Sequence, residues 1–401
     1  MERVLRLISY QKLRARIDRD KEKKQKRQEA YRAKYDCLEK VFTPRHYVKC
    51  LKKCRSGVSF KYSVQQYSAR PLRLMQEDCD SMLAGTAPKI ASSRKEIIRE
   101  RGKERVITPI KIRDRMNQRV LCDYALTPMI NRRLIYDNGA SMEGKGVSFA
   151  RKRLNMMLEK AKRMWGNDYY VLTYDFRKFF DSIPHALCAD ELRKTFQDER
   201  LVSVTMQVIE GYQMLDAERA GDTEKMEMLR RHEGRGVCLG SHVSQLMALC
   251  VPNFLDHYLK DQMGVKFSIR YMDDGIILHN DLVFLRRLVL KMQEVCRRNG
   301  MCLNETKTRI SHIRHGVTFL KIRYRPAGMK TVKRLCRATV ARMRQKLKKF
   351  VGLVARGKMT LKMVWDSLQS WLGHTKAAMA FRQRKRMKQY CLKCFGWRLM
   401  A

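Results

Sequence analysis

The fold of this chain is decided by the stretch FSIRYMDDGIIL at residues 267–278. Two apolar runs flank a short acidic turn that contains glycine, and this pattern predicts a β-hairpin. A further strand is predicted at residues 168–174 (DYYVLTY), because aromatic and β-branched residues favour strands. That strand ends at Asp175 and the hairpin tip carries Asp273 and Asp274, so both segments bring carboxylates to strand ends.

The adjacent acids at the hairpin tip indicate bound cations. Two like charges repel, so Asp273 beside Asp274 costs energy unless cations occupy the site. If the two segments are neighbours in one sheet, Asp175 and Asp273 converge on one point. Carboxylate oxygens suit Mg²⁺, and two such ions about 3.5–4 Å apart stabilise the attacking and leaving oxygens of a phosphoryl transfer. The simpler alternative is that Asp-Asp-Gly is only a hairpin turn.

The composition indicates a polyanionic partner and argues against an ordinary metabolic enzyme. The 401 residues include 86 Lys and Arg against 40 Asp and Glu, a formal net charge of +46. Such a surface repels itself unless it faces nucleic acid or an anionic membrane. No apolar run approaches the roughly 18 residues of a membrane span, so we expect nucleic acid and no membrane. The first 27 residues lack the apolar stretch of a signal peptide, so we expect a cytoplasmic protein.

Both ends of the chain are basic and helical in pattern. Residues 1–57 are dense in Lys and Arg, and they form either a solvated charged helix or, as we favour, an RNA-contacting extension. Between residues 331 and 401, Asp366 is the only acid, which predicts a small helical bundle with one face on phosphates. Cys391 and Cys394 have the spacing of half a zinc site, but no second pair completes it, so we expect reduced thiols.

Five sequence motifs resemble those of reverse transcriptases, and they occur in that family's order. YMDD at the hairpin tip resembles the family's YxDD motif. The other four are similar to the first catalytic motif, the template- and nucleotide-contacting motif, the lysine-bearing loop and the primer grip. They are DFRKFFDSIP at 175–184, RGVCLGSHVSQ at 235–245, LNETKT at 303–308 and GVTFLK at 316–321. The resemblance covers about residues 100 to 325.

The resemblance implies a catalytic group that holds two Mg²⁺ ions, with Mn²⁺ as a substitute. The implied metal ligands are Asp175, Phe176, Asp273 and Asp274. Among them, Asp274 would be the least directly engaged. Lys307 would protonate the leaving pyrophosphate as a general acid, unless it is merely a solvated loop lysine.

The resemblance also implies a surface that binds the incoming nucleotide. Phe180 matches the bulky residue that clashes with a 2′ hydroxyl and so selects deoxynucleotides; the alternative is a core aromatic. Cations ahead of the first catalytic motif lie where the family's fingers grip the triphosphate, and Gly240 would let backbone approach the base. The implied substrate-binding residues are Phe180, Arg105, Lys111, Arg113, Gly240, Ser244, Gln245 and Tyr271.

The implied fold is α+β: a right-hand polymerase with a sheet-based palm, mixed fingers, a helical thumb and the basic helical N-terminal extension. The catalytic motifs cluster in the palm, and the composition becomes almost free of acids where the thumb begins. The expected parts are the extension at 1–57, fingers with part of the palm at 58–165, the palm at 166–325 and the thumb at 326–401.

The implied function is RNA-directed DNA synthesis from deoxynucleoside triphosphates, with an RNA template and a DNA product. The LGxxxSQ form at 239–245 resembles the enzymes of diversity-generating retroelements and of several bacterial groups implicated in phage defence, and the segment QSWLGH at 369–374 resembles the thumb of the defence-associated and related unknown-group enzymes. The chain is therefore similar to bacterial enzymes of the group II intron-like, diversity-generating retroelement and defence-associated (unknown-group) types. We favour antiphage defence, in which the enzyme copies a dedicated structured non-coding RNA. The alternatives are a diversity-generating retroelement and a non-catalytic RNA-binding or splicing cofactor.

Overall fold

The computed structural model describes residues 22–23, 25–85, 96–100, 103–328 and 330–396. The chain divides into two compact units. The first comprises Met1–Ile135, Arg177–Asp256 and Cys296–Cys302, and the second comprises Tyr136–Phe176, His257–Val295 and Leu303–Ala401. Of the predicted N-terminal extension, residues 1–21 and 24 lie outside the described residues, whereas residues 25–35 are helical.

Helices account for most of the described chain, and several begin and end at residues that the sequence marks. Thr43 caps α3 by accepting a hydrogen bond from the His46 N–H, and Gly221 ends α11 in the left-handed conformation. No helix in the described ranges is long and apolar enough to cross a membrane. The helices are α1 (residues 25–35), α2 (Leu38–Val41), α3 (Pro44–Arg55), α4 (Tyr62–Ala69), α5 (Pro71–Leu83), α6 (Ile112–Leu121), α7 (Thr127–Asn131), α8 (Val147–Trp165), α9 (Phe179–Ser182), α10 (His185–Arg193), α11 (Glu199–Ala220), α12 (Thr223–Arg230), α13 (His242–Cys250), α14 (Asn253–His257), α15 (Leu282–Arg298), α16 (Arg337–Ala355), α17 (Leu361–Thr375) and α18 (Phe381–Phe395).

The strands of the described residues form three antiparallel sheets. In the first unit, β1 and β2 pair as a hairpin. In the second unit, one sheet has the order β4-β5-β3-β6 and another the order β7-β8-β9. The strands are β1 (Glu96–Glu100), β2 (Lys103–Ile107), β3 (Tyr170–Tyr174), β4 (Phe267–Tyr271), β5 (Asp274–His279), β6 (Arg309–His312), β7 (Val317–Phe319), β8 (Ile322–Ala327) and β9 (Lys330–Leu335).

The four-stranded sheet joins the two segments that the sequence marks as strands. β4 and β5 form the predicted hairpin, in which Tyr271 pairs with Asp274. β3 lies beside β5, and Tyr174 pairs with Gly275. The condition under which Asp175 and Asp273 converge, that these segments are neighbours in one sheet, is therefore met. Because Asp175 directly follows Tyr174, the register brings Asp175 to the hairpin tip.

One face of the four-stranded sheet is covered by α8. The helix presents Ala150, Leu154, Met157, Leu158 and Ala161, all buried and spaced at intervals of three and four residues. These side chains share a core with residues of β3, β4 and β5. Burial of each large side chain contributes about 1.5–3 kcal/mol, so this core holds the strand ends of the candidate site in a fixed register.

Helices α16, α17 and α18 form the basic bundle that the composition predicts. Its core consists of Met343, Leu347, Phe350, Val364, Leu368, Leu372, Met387 and Cys391. The spacing of these residues follows the helical period on each helix. Burial raises the pKa of the Cys391 thiol to about 11, which disfavours the thiolate that zinc requires.

The predicted boundary between palm and thumb, at residues 325/326, falls inside a strand. β8 runs across this boundary and pairs with β9, so residues 330–335 are extended. The helical bundle that we expected from residue 331 instead begins at Arg337. Thr331 and Val332 are β-branched, and pairing with β8 outweighs the helix-like spacing of the basic residues.

Candidate active site

Three acidic residues meet at one end of the four-stranded sheet. Asp175 directly follows β3, whereas Asp273 and Asp274 lie at the turn between β4 and β5. Met272 adopts a left-handed conformation with φ of 58°, which makes this turn tight. The negative charges of Asp175 and Asp273 both act on Asp274, so the three carboxylates form one cluster, as the sequence predicts.

Lys307 forms an ion pair with the carboxylate of Asp175. Asp175 is only 4% exposed, whereas about half of the Lys307 side chain remains accessible, at 49%. The hydrogen bond to Asp175 raises the pKa of Lys307, with further support from the charges of Asp273 and Asp274 against the effect of burial. Lys307 is thus a charged member of the cluster rather than a lysine that is merely solvated.

A tight turn holds Lys307 beside Asp175. The Asn304 N–H donates to the Asp175 carbonyl oxygen over 2.7 Å. The Asn304 carbonyl oxygen in turn accepts from the Lys307 N–H at 3.2 Å and from the Thr308 N–H at 2.9 Å. The backbone that carries the lysine is therefore hydrogen-bonded to the backbone that carries the acid.

The surroundings of Asp274 favour its protonated form. Its pKa is raised to about 6, first by loss of hydration and then by the charges of Asp273 and Asp175, while Lys307 opposes the shift. Crowded carboxylates of this kind bind a divalent cation readily, because the cation relieves their mutual repulsion.

The raised pKa of Asp274 predicts a pH-dependent gain of stability in Asp274→Asn. The folded state binds this proton more tightly than the unfolded state, so stability decreases as pH rises from about 4 to 6. In EDTA at pH 7.5, the variant should melt about 1–3 °C above the wild type. The gain is small because the Asp274 side chain loses only part of its hydration and stays accessible to water, which screens the neighbouring charges. At pH 4 the gain should vanish. Thermal melts at both pH values check this, and an equal gain at both contradicts it.

Arg270, which the sequence analysis did not single out, lies beneath the acidic turn. Its side chain is 1% exposed, and its Nη1 donates to the Met272 carbonyl oxygen over 2.9 Å. Its backbone N–H donates to the backbone carbonyl oxygen of Asp137 at 3.2 Å, and its own carbonyl oxygen accepts from the Gly139 N–H at 2.9 Å. Arg270 therefore ties the turn to the segment before α8. A cation within an otherwise apolar strand is the sequence signal that marks it.

Gly275 is required by the ring of Tyr174 on the neighbouring strand. A Cβ atom at position 275 would lie 2.0 Å from Tyr174 Cζ, far inside contact distance. Tyr174 is buried, so its ring has little room to move. The glycine after the paired acids therefore keeps the strands in register.

Gly275→Ala should destabilise the second unit by about 3 kcal/mol or more through overpacking. Denaturant unfolding monitored by circular dichroism measures this loss. Combining Gly275→Ala with Tyr174→Ala should cost less than the sum of the two single changes, because removal of the ring removes the clash. Strictly additive losses would contradict the proposed clash.

Phe180 belongs to the first unit and is half-buried. Its neighbour Phe179 is buried, and the two rings meet edge to face at 5.4 Å between centroids. The Phe180 carbonyl oxygen accepts from the Val237 N–H at 2.9 Å, which ties it to the motif at 235–245. Phe179 is thus the core aromatic, and Phe180 keeps an accessible ring.

The motif at 235–245 forms a loop that leads into α13. Gly240 has a φ of 112°, and a Cβ there would lie 3.2 Å from the Thr108 carbonyl oxygen, so glycine suits this position. Gln118 supports the loop, since its Oε1 accepts from Ser241 Oγ at 3.0 Å. Ser244 is buried, which does not favour a direct substrate contact; Gln245 is exposed and stays a prediction.

The predicted triphosphate-binding cations differ in how far they are already engaged. Arg113 forms ion pairs with the fully buried Asp78 and, at 3.4 Å, with Glu77, so its guanidinium stabilises the first unit. Arg105 and Lys111 are exposed. Lys111 directly precedes α6, and the contact of both residues with a triphosphate stays a prediction.

The remaining predicted residues of the catalytic group lie in the second unit. Phe176 is buried, and its backbone pairs with Leu303. Tyr271 is half-buried and packs against the core beneath α8. Within the part of the chain that the structure describes, no group of three or more His, Cys, Asp or Glu side chains is arranged so that it could hold a metal ion by itself. Mg²⁺ does not require one, since water and substrate phosphates usually complete its coordination.

The sequence matches the model of one protein family over residues 93–375, that of the reverse transcriptases (RNA-dependent DNA polymerases). The chain belongs to the reverse transcriptase family. This confirms the predicted family and the α+β fold. Reverse transcriptase domains use divalent metal ions, in keeping with the acidic cluster at 175 and 273–274.

Among solved structures, this reverse transcriptase chain is similar to two telomerases. Apo telomerase from Candida tropicalis, truncated from the C-terminal domain, aligns at 11% identity and a TM-score of 0.44, covering 62% of this chain and 56% of that one. Telomerase from Candida albicans in complex with the TWJ fragment of telomeric RNA aligns at 11% identity and a TM-score of 0.42, covering 76% and 62%. The chain thus spans less than two thirds of either telomerase. No curated protein matches the sequence.

Proposed function

We propose that this chain is an RNA-directed DNA polymerase that adds deoxynucleotides with the help of two Mg²⁺ ions. The observation that carries the proposal is the convergence of Asp175, Asp273 and Asp274 at paired strand ends, with Lys307 bonded to Asp175. Membership in the reverse transcriptase family supports the same reaction.

The donor set fits a divalent ion. Asp175 and Asp273 would supply carboxylate oxygens, and Phe176 would supply its carbonyl oxygen because its side chain has no donor atom. When bound, the ions activate the 3′ hydroxyl of the primer and stabilise the leaving pyrophosphate. Asp274 would be the least directly engaged of the three acids. Its main effect would be on the total charge of the cluster.

The chain's own residues perform the remaining tasks. Lys307 balances the charge of Asp175, and the carboxylate in turn stabilises the ammonium form of the lysine. It therefore has a proton to give to the leaving pyrophosphate. Phe180 selects deoxynucleotides by steric exclusion of a 2′ hydroxyl, while Lys111 and Arg105 attract the triphosphate.

Primer extension on an RNA template tests this function. With a DNA primer and all four deoxynucleoside triphosphates, we expect extension that EDTA abolishes and that added Mg²⁺ restores, with Mn²⁺ as a substitute. A DNA-only duplex of the same sequence controls for template preference. Extension that is unaffected by EDTA, or absent on every template with Mg²⁺ present, contradicts the proposal.

We further propose that the biological template is a dedicated structured RNA and that the role is bacterial antiphage defence. The basic N-terminal extension at 1–57 and the predicted thumb from 326 onward, with its basic bundle α16–α18, would bind that RNA, because both carry large positive charge. Sequencing the nucleic acid that copurifies with the protein tests the template. A template repeat and a variable receptor gene beside the gene for this protein would instead favour a diversity-generating retroelement. Loss of phage protection in Asp273→Asn would exclude a purely RNA-binding cofactor, because such a cofactor does not need the carboxylate.

A further inference from the structure

A groove between α17 and α18 combines positive charge with an exposed aromatic ring. Its volume is about 480 Å³, within the range of about 300–1,000 Å³ usual for ligand pockets. The groove residues that matter here are Gln369, Lys376, Phe381, Arg384, Lys385 and Lys388. A cavity of this size has room for a small ligand, and its positively charged lining favours an anion.

Helical spacing places four of these residues on one face of α18. Positions 381, 384, 385 and 388 follow the i, i+3, i+4, i+7 pattern, so their side chains lie side by side. Met387 and Cys391 pack into the bundle core and flank this row on the side of Arg384. Phe381, at the start of the row, is not part of that core, and the three cations that follow it line the groove.

The cations of the groove have no acidic counterpart in the bundle. Asp366 is the only acidic residue between positions 331 and 401. Among the described residues, none of Lys376, Arg384, Lys385 and Lys388 forms an ion pair with a carboxylate. Four cations around one cavity repel one another, so an anionic ligand would lower the energy of the groove.

Arg384 also carries an unsatisfied donor. Its Nε is buried and has no hydrogen-bond acceptor within the described chain. A buried N–H group without a partner is energetically unfavourable. Arg384 as a whole is half-buried and lines the groove, where its guanidinium would meet a phosphate oxygen in a charge-assisted hydrogen bond.

Phe381 presents its ring to solvent at the mouth of the same groove. It is 72% exposed and lies outside the bundle core. An exposed aromatic ring beside several cations is the combination with which proteins bind single-stranded nucleic acid, since bases stack on the ring and phosphates meet the cations.

We propose that this groove binds an unpaired nucleotide of RNA, with its base on Phe381 and its phosphates on Arg384, Lys385 and Lys388. The inference rests on the proposed function, which supplies RNA as the partner. A duplex is excluded because its bases remain stacked inside the helix and offer no face to the ring. The ligand is a loop, a bulge or a single-stranded end of the RNA that the enzyme copies.

Fluorescence anisotropy of the full chain with labelled single-stranded oligouridine RNA, without deoxynucleotides, tests the groove. Phe381→Ala should weaken binding about 5- to 100-fold through loss of one stacked base, and Phe381→Trp should restore it. Lys385→Gln with Lys388→Gln should reduce the slope of log K against log salt by about 1.4, because each single-strand phosphate contact contributes about 0.7.

The matched control is Arg382→Gln with Arg386→Gln, which removes the same charge from the same helix outside the groove. This control should leave the salt slope close to that of the wild type, and Phe381→Ala should bind double-stranded RNA as the wild type does. Unchanged affinity of Phe381→Ala for single-stranded RNA, an equal loss for the duplex, or a larger loss for the matching DNA oligonucleotide would overturn the proposal. Because no nucleotide is added, a chain without polymerase activity still gives a readable result.

Discussion

Replacing Asp273 by Asn should reduce deoxynucleotide incorporation by about 10³-fold, equivalent to about 4 kcal/mol of transition-state stabilisation. The substitution keeps the size of the side chain but removes the charge that would hold a divalent ion between the hairpin tip and Asp175. Single-turnover primer extension at saturating Mg²⁺ measures the chemical step directly.

The binding of RNA should be unchanged in Asp273→Asn, since the proposed RNA contacts are basic. Glu305→Gln is a suitable control, because Glu305 is an exposed acid in the turn that carries Lys307. It should keep nearly full activity. Full activity of Asp273→Asn, or a comparable loss in Glu305→Gln, would show that the acidic cluster is not the centre of the reaction.

Replacing Phe180 by Ala should reduce discrimination against ribonucleotides by about 10- to 100-fold, because the ring that excludes the 2′ hydroxyl is lost. The relevant quantity is the ratio of kcat/KM for a deoxynucleotide to that for the matching ribonucleotide. The buried neighbour Phe179 remains in place, so we expect the fold of the first unit to persist.

Phe284→Ala is the control for loss of a half-buried aromatic ring. Phe284 lies on α15 and stacks on His279 at 4.3 Å between centroids, outside the predicted nucleotide-binding motifs. It should leave the sugar discrimination unchanged. If Phe180→Ala loses activity on both sugars equally, the ring has a structural role and does not select the substrate.

Local pattern alone was enough to predict the hairpin and its neighbouring strand. The run FSIRYMDDGIIL is apolar on both sides of a polar turn, and such a segment has few alternatives to a β-hairpin. From the sequence, the pairing of β3 with β5 was only a condition for the convergence of the acids, and the sheet of the structure meets that condition. The bundle of α16–α18 followed from its helical spacing.

The prediction was less complete where a residue's role depends on a distant partner. Arg270 reads as one charged residue in an apolar strand, and its bond to Met272 exists only in the folded turn. From the sequence, Arg113 was predicted to bind the triphosphate. In the structure it instead forms an ion pair with Asp78, which is remote in sequence. β9 reads as part of a basic helix because its partner strand is not visible in local periodicity.

By itself, the order of amino acids determined which functional groups the chain carries and where they lie along it. These groups are the carboxylates at strand ends, the lysine three residues after Asn304 and the large excess of cations. These follow from residue type and short-range spacing, which act within a few positions of the chain. Only the tertiary structure decided which charges meet and which remain open to ligands, because that depends on sheet register and helix packing. Thus Lys307 is bonded to Asp175, whereas the cations beside Phe381 face an open groove.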